Sequence, residues 1–220
     1  MALFHRKRTY DRGLMLEKAA RAARRRGLRQ KRKALELYRQ VVEHEPDNAD
    51  LHRKIALLLV KTKDPINACK SYQQAIAELT KRGFFDRAVG VCHEALRYLP
   101  REVSLWEDLA DLEVERGRKI DAVEALLRGR RQLRGRRYRD EAMELLISAH
   151  NIDPLHLAVN FDLASLLARS GARPRALALL EELITAHPSH VRRIRAKQFM
   201  IAPSVHTTWL WCRSFFRAAS

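Results

Sequence analysis

Apolar residues recur along most of the chain at i, i+3, i+4 and i+7, the spacing of one face of an amphipathic helix, and nowhere alternate with period two. In residues 103–117 (VSLWEDLADLEVERG), Trp106, Leu109 and Ala110 form one stripe and Gly117 closes the helix. Residues 157–171 repeat this with Asn160, Leu163, Ala164 and Gly171, and residues 49–63 with His52, Ile55, Ala56 and Lys63. Other segments pair a small alanine with a larger residue four positions on: Ala34/Tyr38, Ala68/Tyr72, Ala88/Cys92, Ala122/Leu126, Ala142/Leu146 and Ala176/Leu180. The intervals between successive alanines alternate regularly between a long step and a short one: 34, 20, 34, 20 and 34. Four of the alanines, Ala34, Ala88, Ala142 and Ala176, have a proline at i+12: Pro46, Pro100, Pro154 and Pro188. This predicts a 54-residue unit of three helices whose middle helix packs on both neighbours. Alanine facing a bulky side chain lets antiparallel helices approach closely, and the proline ends one helix and sets the turn into the next.

Trp106, Leu109 and Ala110, with Ala122 at i+16 from Trp106, resemble the tetratricopeptide repeat, whose consensus is W-x2-L-G-x2-Y, then A-x3-F, then P. Alanine replaces the glycine, Glu113 stands where the family has tyrosine, and the shorter steps interrupt the family's regular period. The resemblance covers about residues 15–188. It implies an all-α fold, a right-handed superhelical solenoid of antiparallel helical hairpins, and a role as a platform for protein interaction. In that family the first helix of each pair lines a concave groove. Arg53 and Lys54 on helix 49–62, and Glu107, Asp108 and Asp111 on helix 103–116, are thereby candidate partner-binding residues. The acidic middle helix has the wrong sign for the basic clamp with which some members hold a peptide's terminal carboxylate.

The ends read as additions: a basic arm over 1–14, and a helical cap over 189–220 with an aromatic last helix. Residues 15–33 (MLEKAARAARRRGLRQKRK) read as a single first helix, and VRRIRAKQFM as a helix ending before Pro203. Thr207 and Thr208 are positioned to open the last one, TTWLWCRSFFRAAS. There Trp209, Cys212 and Phe216 share one stripe, and Trp211 and Phe215 another. These aromatics fit an apolar cap on the stack. Trp209, Trp211, Phe215 and Phe216 would alternatively make a peripheral membrane contact, with Arg213 and Arg217 near anionic headgroups.

Charge sharpens this picture. The 220 residues carry a net +17. Residues 1–33 contribute +11 and residues 189–220 contribute +6, so residues 34–188 are neutral. Within that neutral stretch, Arg128, Arg130, Arg131, Arg134, Arg136, Arg137 and Arg139 crowd one helix junction, and Arg130 and Arg131 join the candidate binding residues. Basic ends and this cluster support a second reading, binding of nucleic acid, although no aromatic–basic interleaving or known nucleic-acid module is present.

Catalytic chemistry finds no support. The chain contains no GxxxxGK[ST], GxGxxG, HExxH or GxSxG motif. Three cysteines (Cys69, Cys92, Cys212) are odd in number and widely spaced, which fits neither a disulfide scaffold nor zinc. Cys92 occupies a packing position. His44, His150 and His187 stand near helix C-termini, where the dipole favours positive charge, and Pro188 separates His187 from His190. No cofactor or metal is expected. With no leader pattern at residues 1–13 and no long apolar run, the reading is a cytoplasmic, non-catalytic adaptor.

Overall fold

The computed structural model describes residues 11–216, the last two of these by backbone alone. Every regular element among the described residues is helical. The chain divides into two compact units, residues 1–108 and 109–220, with the boundary inside one helix.

The described part of the first unit contains α1 (Arg12–Arg24), α2 (Leu28–His44), α3 (Ala49–Lys61), α4 (Pro65–Lys81), α5 (Phe85–Tyr98) and the opening turns of α6 (Val103–Glu115). Side chains at the N-caps accept from the first turns: Asp11 from Leu14 N, Asn48 from Leu51 N and Asp64 from Asn67 N, with Pro65 just inside α4. Helix α4 packs against both α3 and α5, as the alternating spacing predicts for a middle helix. Ala34, Ala68 and Ala88 are fully buried, and their larger partners Tyr38, Tyr72 and Cys92 are buried too. The single helix expected over 15–33 is two helices. The chain breaks at Arg25–Gly27, and Gly27 adopts φ +105°, a conformation that costs other residues strain.

The second unit contains the rest of α6, α7 (Lys119–Gln132), a short 3-10 turn (Arg136–Tyr138), α8 (Arg139–Ile152), α9 (Leu157–Arg169), α10 (Arg173–Ala186), α11 (Val191–Ile201) and α12 (Val205–Phe216). Ala122, Ala142 and Ala176 are buried with Leu126, Leu146 and Leu180. Glu113, at the family's tyrosine position, is buried and receives both its bonds from Arg116 Nη1, each 2.9 Å. Between α10 and α11, Glu181 receives Arg195 through two nitrogens (2.8 and 3.0 Å) and Gln198 Nε2 (2.8 Å). Helix α12 begins two residues before Thr207, and Ser204 Oγ accepts from Thr207 N.

A bond that the sequence pattern does not announce recurs once in each three-helix unit. His52 Nε2 donates to Pro46 O (2.6 Å), Trp106 Nε1 to Pro100 O (3.0 Å) and Asn160 Nδ2 to Pro154 O (2.7 Å). Each donor is the fourth residue of its helix and reaches six residues back. The proline thus terminates one helix, and its carbonyl anchors the next. Six residues beyond Pro188 stands Ile194, which is buried and has no side-chain donor, so the device ends before α11.

Candidate functional site

The candidate residues of α3 and α6 face different surroundings. Arg53 is half-buried. Its Nε donates to both carboxylate oxygens of Glu94 on α5 (3.2 and 3.0 Å), and Glu94 also accepts from Tyr72 OH on α4 (3.3 Å). Burial pushes the Tyr72 phenol well above its ordinary pKa, and the nearby Glu94 carboxylate pushes it the same way. Tyr72 therefore remains a neutral donor, and Glu94 ties α3, α4 and α5 together. Arg53 belongs to that tie. Lys54 is exposed, with Nζ 5.9 Å from the Tyr38 ring centroid. Asp108 accepts from Gln73 Nε2 on α4 (3.2 Å), Glu107 is half-buried and Asp111 is exposed. Of the residues proposed for partner contact on these helices, Lys54 and Asp111 are the exposed ones.

In the second unit the arginine run divides. Arg130 Nε lies 3.0 Å from Asp162 Oδ2 on α9, an ion pair without hydrogen-bond alignment. Arg131 is exposed and uses its backbone carbonyl to accept from Arg134 Nε (3.1 Å). Arg137 stacks on the Tyr138 ring at 4.4 Å. Arg130, Arg134, Arg136 and Arg139 line a single cavity, and Arg169 from the end of α9 joins them. Sequence reading misses Arg169 because it closes α9, a full helix beyond the arginine run; only the pairing of α8 with α9 brings it near. It also misses Glu94, whose one signal is its place on α5, a turn beyond the buried Val91.

At the C-terminal end the two aromatic stripes part. Trp211 stacks on Phe199 of α11 (centroids 5.5 Å, planes 13° apart), whereas Trp209 is 53% exposed with the Arg213 guanidinium 5.0 Å from its ring. The side chains of Phe215 and Phe216, the basic residues Arg6, Lys7 and Arg8, and Arg217 lie outside the described residues. No helix among those described is long and apolar enough to cross a membrane.

Groups able to hold a metal do not assemble: no cluster of three or more His, Cys, Asp or Glu suited to an ion occurs among the described residues. His187 Nε2 donates to Leu155 O (2.7 Å), and His190 Nδ1 meets Ser189 Oγ. Cys69 and Cys92 are buried, and burial pushes the Cys69 thiol up, away from thiolate chemistry.

Comparison with known proteins agrees with this geometry. One tetratricopeptide repeat family model matches residues 17–80 and 72–136, and a second matches residues 139–198. No curated protein matches the sequence. Among solved structures, a thermophilic tetratricopeptide repeat protein of Thermus thermophilus is similar at 16% identity and TM-score 0.33, covering 94% of this chain and 89% of that one. Pseudomonas aeruginosa PilF is similar at 14% identity and TM-score 0.31, over 93% and 89%. MamA of Desulfovibrio magneticus is similar at 15% identity and TM-score 0.27, over 80% and 95%. The family matches, not these superpositions, carry the assignment.

Proposed function

The chain belongs to the tetratricopeptide repeat family, and on that premise we propose that it is a non-catalytic adaptor that holds an extended or helical segment of a protein partner. Tetratricopeptide arrays are protein-interaction scaffolds as a class. The finer reading places the partner along the first helices of the hairpins, and one observation carries it. In the first unit the inward stripe of α3 is used up by packing and by its proline anchor, while Lys54 projects from that helix. Separately, α6 spends its inward stripe in the same way and leaves Asp111 of the second unit exposed. Side chains held on rigid helices, free of a structural duty in the core, are what a docking surface needs.

The test is affinity capture from the native cell with the full chain, at moderate salt and after nuclease treatment, compared with Lys54→Glu and Asp111→Lys. A protein captured by the parent and lost with either variant, helicity unchanged, supports the reading. Capture that nuclease abolishes would move the function to nucleic acid, and capture indifferent to both substitutions would take the partner off these helices.

A further inference from the structure

We propose that the second unit contains a binding site for a phosphate group, built where the end of α7, the start of α8 and the end of α9 meet. Arg130, Arg134, Arg136, Arg139 and Arg169 line one cavity of about 320 Å³. Apolar side chains, Leu133 and Leu166 among them, complete the wall together with Gly135, and no carboxylate lines it. Five like charges brought to one cavity repel one another, and a multiply charged anion removes that cost.

Apart from Arg130, the arginines are arranged but not neutralised. Arg134 Nε donates to Arg131 O, and Arg139 Nη1 to Arg169 O (3.4 Å), so backbone carbonyls orient both without cancelling their charge. Asp162 faces Arg130 alone, with Oδ2 3.0 Å from the solvent-shielded Arg130 Nε but out of hydrogen-bond alignment, so Arg130 is the one cavity arginine with a carboxylate partner. No carboxylate among the described residues pairs with Arg134, Arg136, Arg139 or Arg169. Arg134, Arg136 and Arg169 are exposed, which leaves the site reachable from solvent.

Helix dipoles explain only part of this arrangement. Arg130 and Arg169 lie in the last turns of α7 and α9, where positive charge is favoured. Arg136 and Arg139 instead precede and open α8, at the positive end of its dipole, and Tyr138 gives that end no side-chain cap. Asp140 and Glu141 in the first turn of α8 already complement its dipole, so the case for an anion rests on the arginines that share the cavity and not on the helix end.

The number of guanidiniums selects phosphate over carboxylate. A carboxylate matches one guanidinium fork, whereas a phosphomonoester presents three acceptor oxygens and close to two negative charges. The cavity is at the small end of ligand sites, about 300–1,000 Å³, which suits one phosphate and its carrier group better than a nucleic-acid strand. The carrier is either a small phosphorylated molecule or a phosphorylated side chain of a partner. The site goes beyond the adaptor reading and stands whether or not that reading holds.

Titration calorimetry of the full chain in about 150 mM sodium chloride tests it, with inorganic phosphate, a phosphoserine peptide and its unphosphorylated form as probes. We expect the phosphate-bearing probes to bind and the unphosphorylated peptide not to. Tighter binding of the phosphopeptide than of inorganic phosphate assigns the carrier to a partner, and equal binding to a small molecule. Arg136→Gln and Arg169→Gln should each weaken binding about tenfold or more with the thermal midpoint unchanged. Arg128→Gln and Arg131→Gln, outside the cavity, are the controls. No binding of either phosphate probe at millimolar concentration overturns the site, as does equal weakening by the controls. A single-stranded oligonucleotide that binds while both phosphate probes fail would overturn it in favour of a strand-binding surface.

Discussion

Lys63, Gly117 and Gly171 occupy the same place in successive three-helix units, and all three adopt positive φ: 62°, 74° and 92°. Two of the three helix ends thus use the residue without a Cβ, and the first forces a lysine into the left-handed region. Lys63→Gly should stabilise the protein by about 1 kcal/mol, read as a raised denaturation midpoint. An unchanged or lowered midpoint would show that the lysine carries no backbone strain. Ala142 tests the opposite limit. It is 3% exposed, and Ala142→Leu should destabilise by about 1–3 kcal/mol through overpacking. A midpoint equal to the parent's would mean that α8 does not approach its neighbours at this residue. These positions were legible in the sequence because small-to-large spacing and helix-ending residues repeat with the unit. Arg53 was legible only as a cation. Its pairing with Glu94 depends on α3 and α5 meeting although α4 separates them along the chain, and no local pattern announces that.

Helices here are held by a device that mixes chain termination with hydrogen bonding. Asn160 is fully buried and donates to both Pro154 O and His156 O, while its Oδ1 meets His150 Nδ1 at 2.8 Å. Since the amide nitrogen serves the carbonyls, Oδ1 is the acceptor and His150 Nδ1 carries the proton. Asn160→Leu keeps the bulk and strands these groups, so it should cost about 1–3 kcal/mol. Trp106→Phe, which loses a single donor to Pro100 O, should cost less. Equal effects, measured by chemical denaturation, would deny the shared anchor its role. The prolines themselves were evident from sequence as helix stops. Their carbonyls as acceptors were not, because histidine, tryptophan and asparagine share no obvious class until each is seen to donate. The division of residues 15–33 into two helices was missed for a related reason. Helix-favouring arginines on both sides of Gly27 hid one glycine's backbone freedom.

For the whole chain, the decisive quantity is where the net charge of +17 sits. Residues 34–188 are neutral, so a polyanion attracted without specificity should respond to the basic ends, whereas a protein partner on α3 and α6 should not. Replacing Arg6, Lys7 and Arg8 with serine leaves every described helix intact in sequence. If these side chains meet phosphates, the slope of log affinity against log salt should fall by about 0.7–0.9 for each phosphate interaction removed. Partner capture should persist in the same variant. Adding Arg128→Ser and Arg137→Ser, which leave the cavity arginines in place, extends the comparison to the internal run. We expect weak, salt-sensitive and sequence-indifferent attraction to oligonucleotides that declines through this series. Sequence-selective binding at about 150 mM salt that disappears with these substitutions would overturn the adaptor reading and make the basic ends the functional surface.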